Sequence, residues 1–126
     1  MEEYVPRILV IDDEVDTLRL LQFTLESAGY QVTTAASGLE GVTELEQREY
    51  DVILLDLMMP VQDGYEVLQA IKVGFRRPPP IIVLSAKSTF DDQIQARELG
   101  AVDYLVKPTL KENLINAVEN ALDLVF

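Results

Sequence analysis

The sequence predicts an α/β fold, a doubly wound parallel sheet of five strands flanked on both faces by five helices. Two observations lead there. Five short apolar runs alternate along the chain with five segments whose apolar residues recur at three- and four-residue spacing. That alternation builds βαβ units with right-handed crossovers. In addition, Val52-Ile53-Leu54-Leu55 is an unbroken apolar run that ends at one carboxylate, Asp56, with Pro60 four residues later. Such a run suits a strand buried on both faces.

The elements follow in order. Arg7 to Ile11 reads as the first strand and ends in Asp12-Asp13-Glu14. A helix from about Val15 to Ala28 carries Leu18, Leu21, Leu25 and Ala28 on one face, and Gly29 suits the left-handed residue that stops it. Residues 31 to 36 form a shorter, more polar strand, expected at an edge. Ser37 and Glu40 make a capping box for a helix running to about Gln47. Asp51 to Leu55 is the third strand. Gly64 opens the third helix, with Val67, Leu68 and Ile71 inward. Gly74 to Pro80 is a basic, proline-rich loop.

Ile81 to Leu84 is the fourth strand, ending in Ser85-Ala86-Lys87. The fourth helix, from about Phe90 to Leu99, stops at Gly100. Its apolar face is thin, consisting of Ile94, Ala96 and Leu99, so this helix is expected to be the mobile one. Val102 to Val106 is the fifth strand, ending in Lys107-Pro108. The last helix runs from about Leu110 to Leu124 with Leu114, Ile115, Val118 and Leu122 inward.

At 126 residues the chain is read as one domain over 1–126. It has no cysteine and no histidine, which excludes thiolate chemistry, Ser-His-Asp catalysis and His-ligated zinc. Any metal must be a hard cation held by oxygen. A formal net charge of -12 argues against direct nucleic-acid binding. The acidic N-terminus and strand-length apolar runs point to neither a leader nor a membrane span, and the expected setting is cytoplasmic.

In a parallel sheet the strand ends share one edge, where ligands bind in open α/β folds. Asp12, Asp13, Asp56, Ser85 and Lys107 therefore converge although they are far apart in sequence. Three carboxylates repel one another, and a divalent cation relieves that; oxygen ligands in a wet site favour Mg²⁺. A carboxylate can attack phosphorus to give an acyl phosphate. Lys107, Mg²⁺ and the Ser85 hydroxyl can each stabilise an oxygen of the incoming group. The duller readings are helix capping by Asp12 and Asp13, a turn hydroxyl at Ser85, a solvated Lys107 and plain core packing for Tyr104.

These residues resemble the receiver domains of bacterial two-component response regulators over about Arg7 to Leu124. The likeness rests on four motifs in order: Val10-Ile11-Asp12-Asp13-Glu14; Asp56-Leu57-Met58-Met59-Pro60 with Asp63-Gly64; Ser85-Ala86-Lys87; and Asp103-Tyr104-Leu105-Val106-Lys107-Pro108. The resemblance implies a flavodoxin-like sheet of order 2-1-3-4-5. It implies Asp56 as phosphoacceptor and Asp13 as a direct Mg²⁺ ligand, with Asp12 acting mainly through water and the Met58 carbonyl completing the protein ligands. Lys107 would pair with the phosphate, or with Asp56 before it arrives, and the Lys107-Pro108 peptide would be cis. Ser85 and Tyr104 would form the switch that reshapes the face of helix 4, strand 5 and helix 5. The partners implied are a sensor histidine kinase or histidine phosphotransfer protein, and an output domain or downstream protein on that face.

Two other functions compete. An unphosphorylated interaction module would be expected to have lost an acidic ligand, the acceptor or the lysine, and none is lost. An aspartyl-phosphate hydrolase needs a second aspartate two residues after the nucleophile, where Met58 stands. The protein is thus read as a switch that catalyses its own modification, without turnover of an external substrate. Met58 and Lys87, the side chains two residues beyond Asp56 and Ser85, cannot accept a proton from an attacking water, which predicts slow self-dephosphorylation. The fifth helix offers Lys111 and no arginine, and Val102 stands where an acidic residue is common, so the cross-subunit ion pairs of winged-helix regulators are not expected.

Overall fold

The structure is a computed structural model that describes residues 4–59 and 63–126. Pro60, part of the second motif, lies outside the described residues. Five strands, β1 (Arg7–Ile11), β2 (Gln31–Ala35), β3 (Val52–Leu55), β4 (Ile81–Ser85) and β5 (Ala101–Val106), alternate with five helices: α1 (Val15–Ser27), α2 (Gly38–Gln47), α3 (Gly64–Gly74), α4 (Phe90–Glu98) and α5 (Lys111–Asp123). The strands form one parallel sheet in the order β2-β1-β3-β4-β5.

Alternation along the strands divides the core in two. Leu9, Ile11, Ile53, Leu55 and Val83 face α2, α3 and α4 together with Val67, Leu68 and Ile71. Ile8, Val10, Val52, Leu54 and Ile82 face the other way, onto α1 and α5. Every residue of β3 and β4 is buried, because helices cover both faces of these central strands. β2 is half-buried and lies at the sheet edge, where its polar residues reach solvent.

The helix signals have physical counterparts. Ser37, Asp63 and Thr89 cap α2, α3 and α4, each accepting a hydrogen bond from the backbone N–H three residues on. Such caps contribute about 1 kcal/mol each. Gly29 and Gly100 have φ of 100° and 106°, the left-handed conformation that ends α1 and α4. Several boundaries differ from the sequence reading by one residue: Asp51 precedes β3, Ser85 belongs to β4 and Gly74 ends α3.

Two expectations about inward faces are corrected. Ala28 is exposed, because it follows the last turn of α1 as its C-cap. Ile94 is 39% exposed, whereas Ala96 is fully buried. Residues two apart on a helix point about 200° away from each other, so Ile94 and Ala96 cannot share a face. Leu99, three residues after Ala96, does pack against the core. On α5, Leu114 and Val118 are buried as expected, Ile115 and Leu122 lie at the margin, and Ala117 and Ala121 complete the buried stripe. The segment before β1 and the segment after α5 meet at the N-terminal edge of the sheet, where the rings of Tyr4 and Phe126 stand 5.4 Å apart.

Candidate phosphoacceptor site

Each strand-end side chain is held by one further rung of the sheet. The Asp12 N–H donates to the Ala35 carbonyl, Asp56 N–H to Ile11 and Lys107 N–H to Ser85, at 3.1, 3.0 and 2.8 Å. The chain therefore stays in sheet register for one residue beyond the strand, and that residue's side chain emerges at the edge. Asp12, Asp13 and Asp56 each offer a carboxylate oxygen, all within 4.8 Å of one another.

Asp12 and Asp56 are buried, and Asp13 is half-buried. Asp12 accepts from the Glu14 N–H at 3.0 Å, and Asp56 accepts from the Met58 N–H at 3.1 Å. The Asp12 carboxylate does not cap α1: the cap position belongs to Glu14, whose side chain makes no capping bond.

Lys107 reaches across the sheet to both buried carboxylates. Its Nζ lies 2.7 Å from Asp12 Oδ2 and 3.4 Å from Asp56 Oδ2. The sequence reading anticipated Asp56 as the partner; the tighter bond is to Asp12. Burial pushes the Asp56 carboxyl above its ordinary range, against the opposing pull of the Met58 N–H and the Lys107 charge, while the Asp12 charge adds to the rise. Burial alone would lower Lys107, but its bond to Asp12 and the charges of Asp56 and Asp12 outweigh that and raise it. The Lys107-Pro108 peptide is cis.

Gly64 sets how closely α3 approaches Asp56 and Leu57. A Cβ there would run into the Leu57 backbone and stand 2.6 Å from the Asp56 carbonyl oxygen, and its N–H donates to the Leu57 carbonyl at 2.9 Å. The Asp63-Gly64 signal thus combines a helix cap with a bare backbone that lets the helix close on the loop.

Ser85 is fully buried, and its Oγ accepts from the Lys87 N–H at 3.2 Å. Tyr104 is buried, and its hydroxyl donates to the Lys87 carbonyl at 2.9 Å. Met58 exposes half of its side chain beside the site, and Met59 turns into the core. Lys87 places its ammonium 5.5 Å from the centre of the Tyr65 ring. The Tyr65 hydroxyl donates to Asp92 Oδ1 at 2.6 Å. Sequence reading missed Tyr65 and Asp92. The Thr89–Asp92 spacing is a capping signal, but nothing in the sequence pairs it with a residue on α3.

Comparison with known proteins identifies the family of the fold. A family model described as the response regulator receiver domain matches residues 8–119. The transcriptional regulatory protein PrrA of Mycobacterium tuberculosis is 40% identical over 117 residues, covering 93% of this chain and 50% of that protein. The alkaline phosphatase synthesis transcriptional regulatory protein PhoP of Bacillus subtilis is 43% identical over 105 residues, covering 81% of this chain and 42% of that protein. The chain thus spans about half the length of the curated relatives it matches.

Among solved structures, the receiver domain of Francisella response regulator 1452 superposes with a TM-score of 0.90 at 30% identity, covering 96% and 99% of the two chains. The response regulator TrrA of Thermotoga maritima, solved in complex with Mg²⁺-BeF, gives 0.84 at 32% identity, covering 94% and 100%. A family model that spans most of the chain, relatives at this level of identity and a shared sheet order make this chain a member of the response regulator receiver domain family.

Proposed function

We propose that this domain is a phosphorylation-driven switch of two-component signalling, with Asp56 as the acceptor. The observation that carries the reading is the convergence of three carboxylates and one ammonium at the C-terminal edge of the sheet. An Asp56 oxygen forms a bond to phosphorus while the P–N bond of a phosphohistidine breaks. The departing imidazole nitrogen keeps the electron pair and takes up a proton from solvent.

The donor set fits a hard divalent cation: Asp13, Asp56 and the Met58 carbonyl would hold Mg²⁺, with Asp12 acting through water. Asp12 already accepts from Lys107 and from Glu14, which suits an indirect role. Bound Mg²⁺ would supply charge neutralisation for the phosphoryl oxygens. Lys107 neutralises a further oxygen and loses its contact with the free Asp56 carboxylate. Ser85 donates to a third, giving up its bond to Lys87, and Tyr104 reports that change to α4, β5 and α5.

The donor would be a sensor histidine kinase or a histidine phosphotransfer protein. An apolar groove of about 580 Å³, lined by Leu20, Leu21, Leu84, Lys107 and Pro108, lies between α1 and the start of α5 and gives such a partner a flank next to the acceptor. The reader of the signal would be an output domain or another protein on the α4-β5-α5 face. No helix among the described residues is long and apolar enough to cross a membrane, and the charge of -12 argues against DNA contact by this domain itself. A cytoplasmic setting goes with this reading. Met58 and Lys87 should leave the attacking water without a proton acceptor, so the phosphoryl group should be long-lived.

The test is labelling with acetyl phosphate. One hydroxylamine-labile phosphate should appear in Mg²⁺ and vanish in chelator or in Asp56→Asn. Asp13→Ala should fold but fail to bind Mg²⁺. A phosphate mapped to another residue, or none at all, would favour an interaction module of the same fold, and equal labelling without the metal would show that the metal site is wrongly assigned.

A further inference from the structure

Lys87 is held at three points, and each leads to a different element. Its N–H donates to the Ser85 Oγ on β4 and its carbonyl accepts from the Tyr104 hydroxyl on β5. Its ammonium stands over the Tyr65 ring on α3. The same Tyr65 spans to α4, donating to Asp92 Oδ1, while Asp92 Oδ2 accepts from the Thr89 hydroxyl at 2.6 Å. The negative charge of Asp92 and the electron-rich ring face thus both attract the ammonium. Asp56 responds to Lys107 and Asp12 as its charged neighbours. The Lys87 side chain is stored on the α3–α4 side, while its N–H bonds to Ser85, whose strand β4 ends on the same edge of the sheet as Asp56.

We propose that Tyr65 is a positioning residue for the lifetime of the phosphoryl group: with Asp92 it holds the Lys87 ammonium over α3 and keeps it off phosphorylated Asp56. This rests on Asp56 being the acceptor. When Tyr65 lets go, the four-carbon stem of Lys87 is free to swing its charge toward the phosphoryl oxygens. There the ammonium, which has no acceptor lone pair, attracts the anion and obstructs the approach of water. Because the Lys87 main chain bonds to Ser85 and Tyr104, a movement of Ser85 toward the phosphoryl group loosens the same residue that Tyr65 holds. The lifetime would then depend on a contact between α3 and α4.

The experiment has two arms on the whole chain. In the first, the Lys87 ε-methylene signals are followed by NMR without any phosphodonor. They should be shifted upfield by the Tyr65 ring and should move to ordinary lysine positions in Tyr65→Leu, which keeps apolar bulk at this half-buried site. Unchanged signals would overturn the proposal. In the second, release of phosphate from acetyl-phosphate-labelled protein is timed with Mg²⁺ present. Tyr65→Leu should lengthen the half-life by about two- to fivefold, the range open to a single charge near the surface. In a Lys87→Gln background the same Tyr65 substitution should change nothing. An equal change in both backgrounds would make Tyr65 a packing residue only and overturn the proposal. Failure to label Asp56 in the unaltered chain would overturn the acceptor reading and the lifetime role with it, while the first arm would still decide whether Tyr65 holds Lys87.

Discussion

Helix α5 lays Leu114, Ala117, Val118 and Ala121 into the core beneath β3, β4 and β5, whereas α4, on the other face of the sheet beside β5, buries only Ala96. Polar ties replace the missing apolar stripe. Tyr65 of α3 bonds to Asp92 at the start of α4, and Lys72, seven residues further along α3, donates to the Glu98 carbonyl at its end, at 3.3 Å. Arg97 adds a contact to the Val102 carbonyl at 3.4 Å and lies 3.9 Å from Asp103. Apolar burial has no preferred direction and survives small displacements. A hydrogen bond is lost over about an ångström. One helix is fastened and the other is latched, and only a latched helix can be released by a change at the sheet edge without unfolding the domain.

That contrast can be broken by experiment, beginning with the largest effect. Leu114→Ala should cost about 2–5 kcal/mol by urea unfolding, as a buried leucine does. A loss as small as that of a surface change would mean that α5 is not fastened by its stripe. Ala96→Leu should cost about 1–3 kcal/mol, because α4 comes close to β5 only where its side chain is small. Amide exchange in that variant should rise along α4 and stay slow along α5; a uniform rise would put the two helices in one cooperative unit.

A subtler effect concerns Asp92. Bonds from Thr89 and Tyr65, with the Lys87 charge nearby, hold its carboxyl below the ordinary range. A depressed carboxylate contributes stability above its unfolded pKa and loses it as pH falls through the folded one. The stability gap between the unaltered chain and Asp92→Asn should therefore be full near neutrality and close as the solution is acidified through the carboxylate range. A gap that widens in acid would show that Asp92 is not a latch. The smallest effect is expected for Ile94→Gln, within about 0.5 kcal/mol, since Ile94 lies on the solvent side of α4. A clear loss would restore the inward face that the sequence suggested.

The same contrast separates what could be read in the sequence from what could not. Strand identity, sheet edge and caps follow from local patterns: four apolar residues in a row at Val52–Leu55, polar residues in β2, and Ser37 three residues before Glu40. Asp12, Asp13, Asp56, Ser85 and Lys107 were legible because each follows or ends an apolar run, and a parallel sheet gathers run ends on one edge. Which carboxylate Lys107 prefers was not legible, since 95 residues separate it from Asp12 and the choice depends on side-chain reach. Tyr65 and Asp92 were hidden for a similar reason: their bond depends on how α3 and α4 pack, which no spacing encodes. The role of Gly64 was half legible, as a helix start but not as the point where a side chain would strike the backbone of Asp56 and Leu57.

The contact between Tyr4 and Phe126 has a topological consequence. β1 begins and α5 ends on the edge of the sheet opposite Asp56, so a short bridge engineered between Phe126 and Tyr4 would not cross the acidic cleft. New ends could then be opened in the proline-rich turn after Gly74. Such a rewired chain would keep every strand-end residue in place, and a fusion partner grafted at that turn would also leave from the side remote from the chemistry.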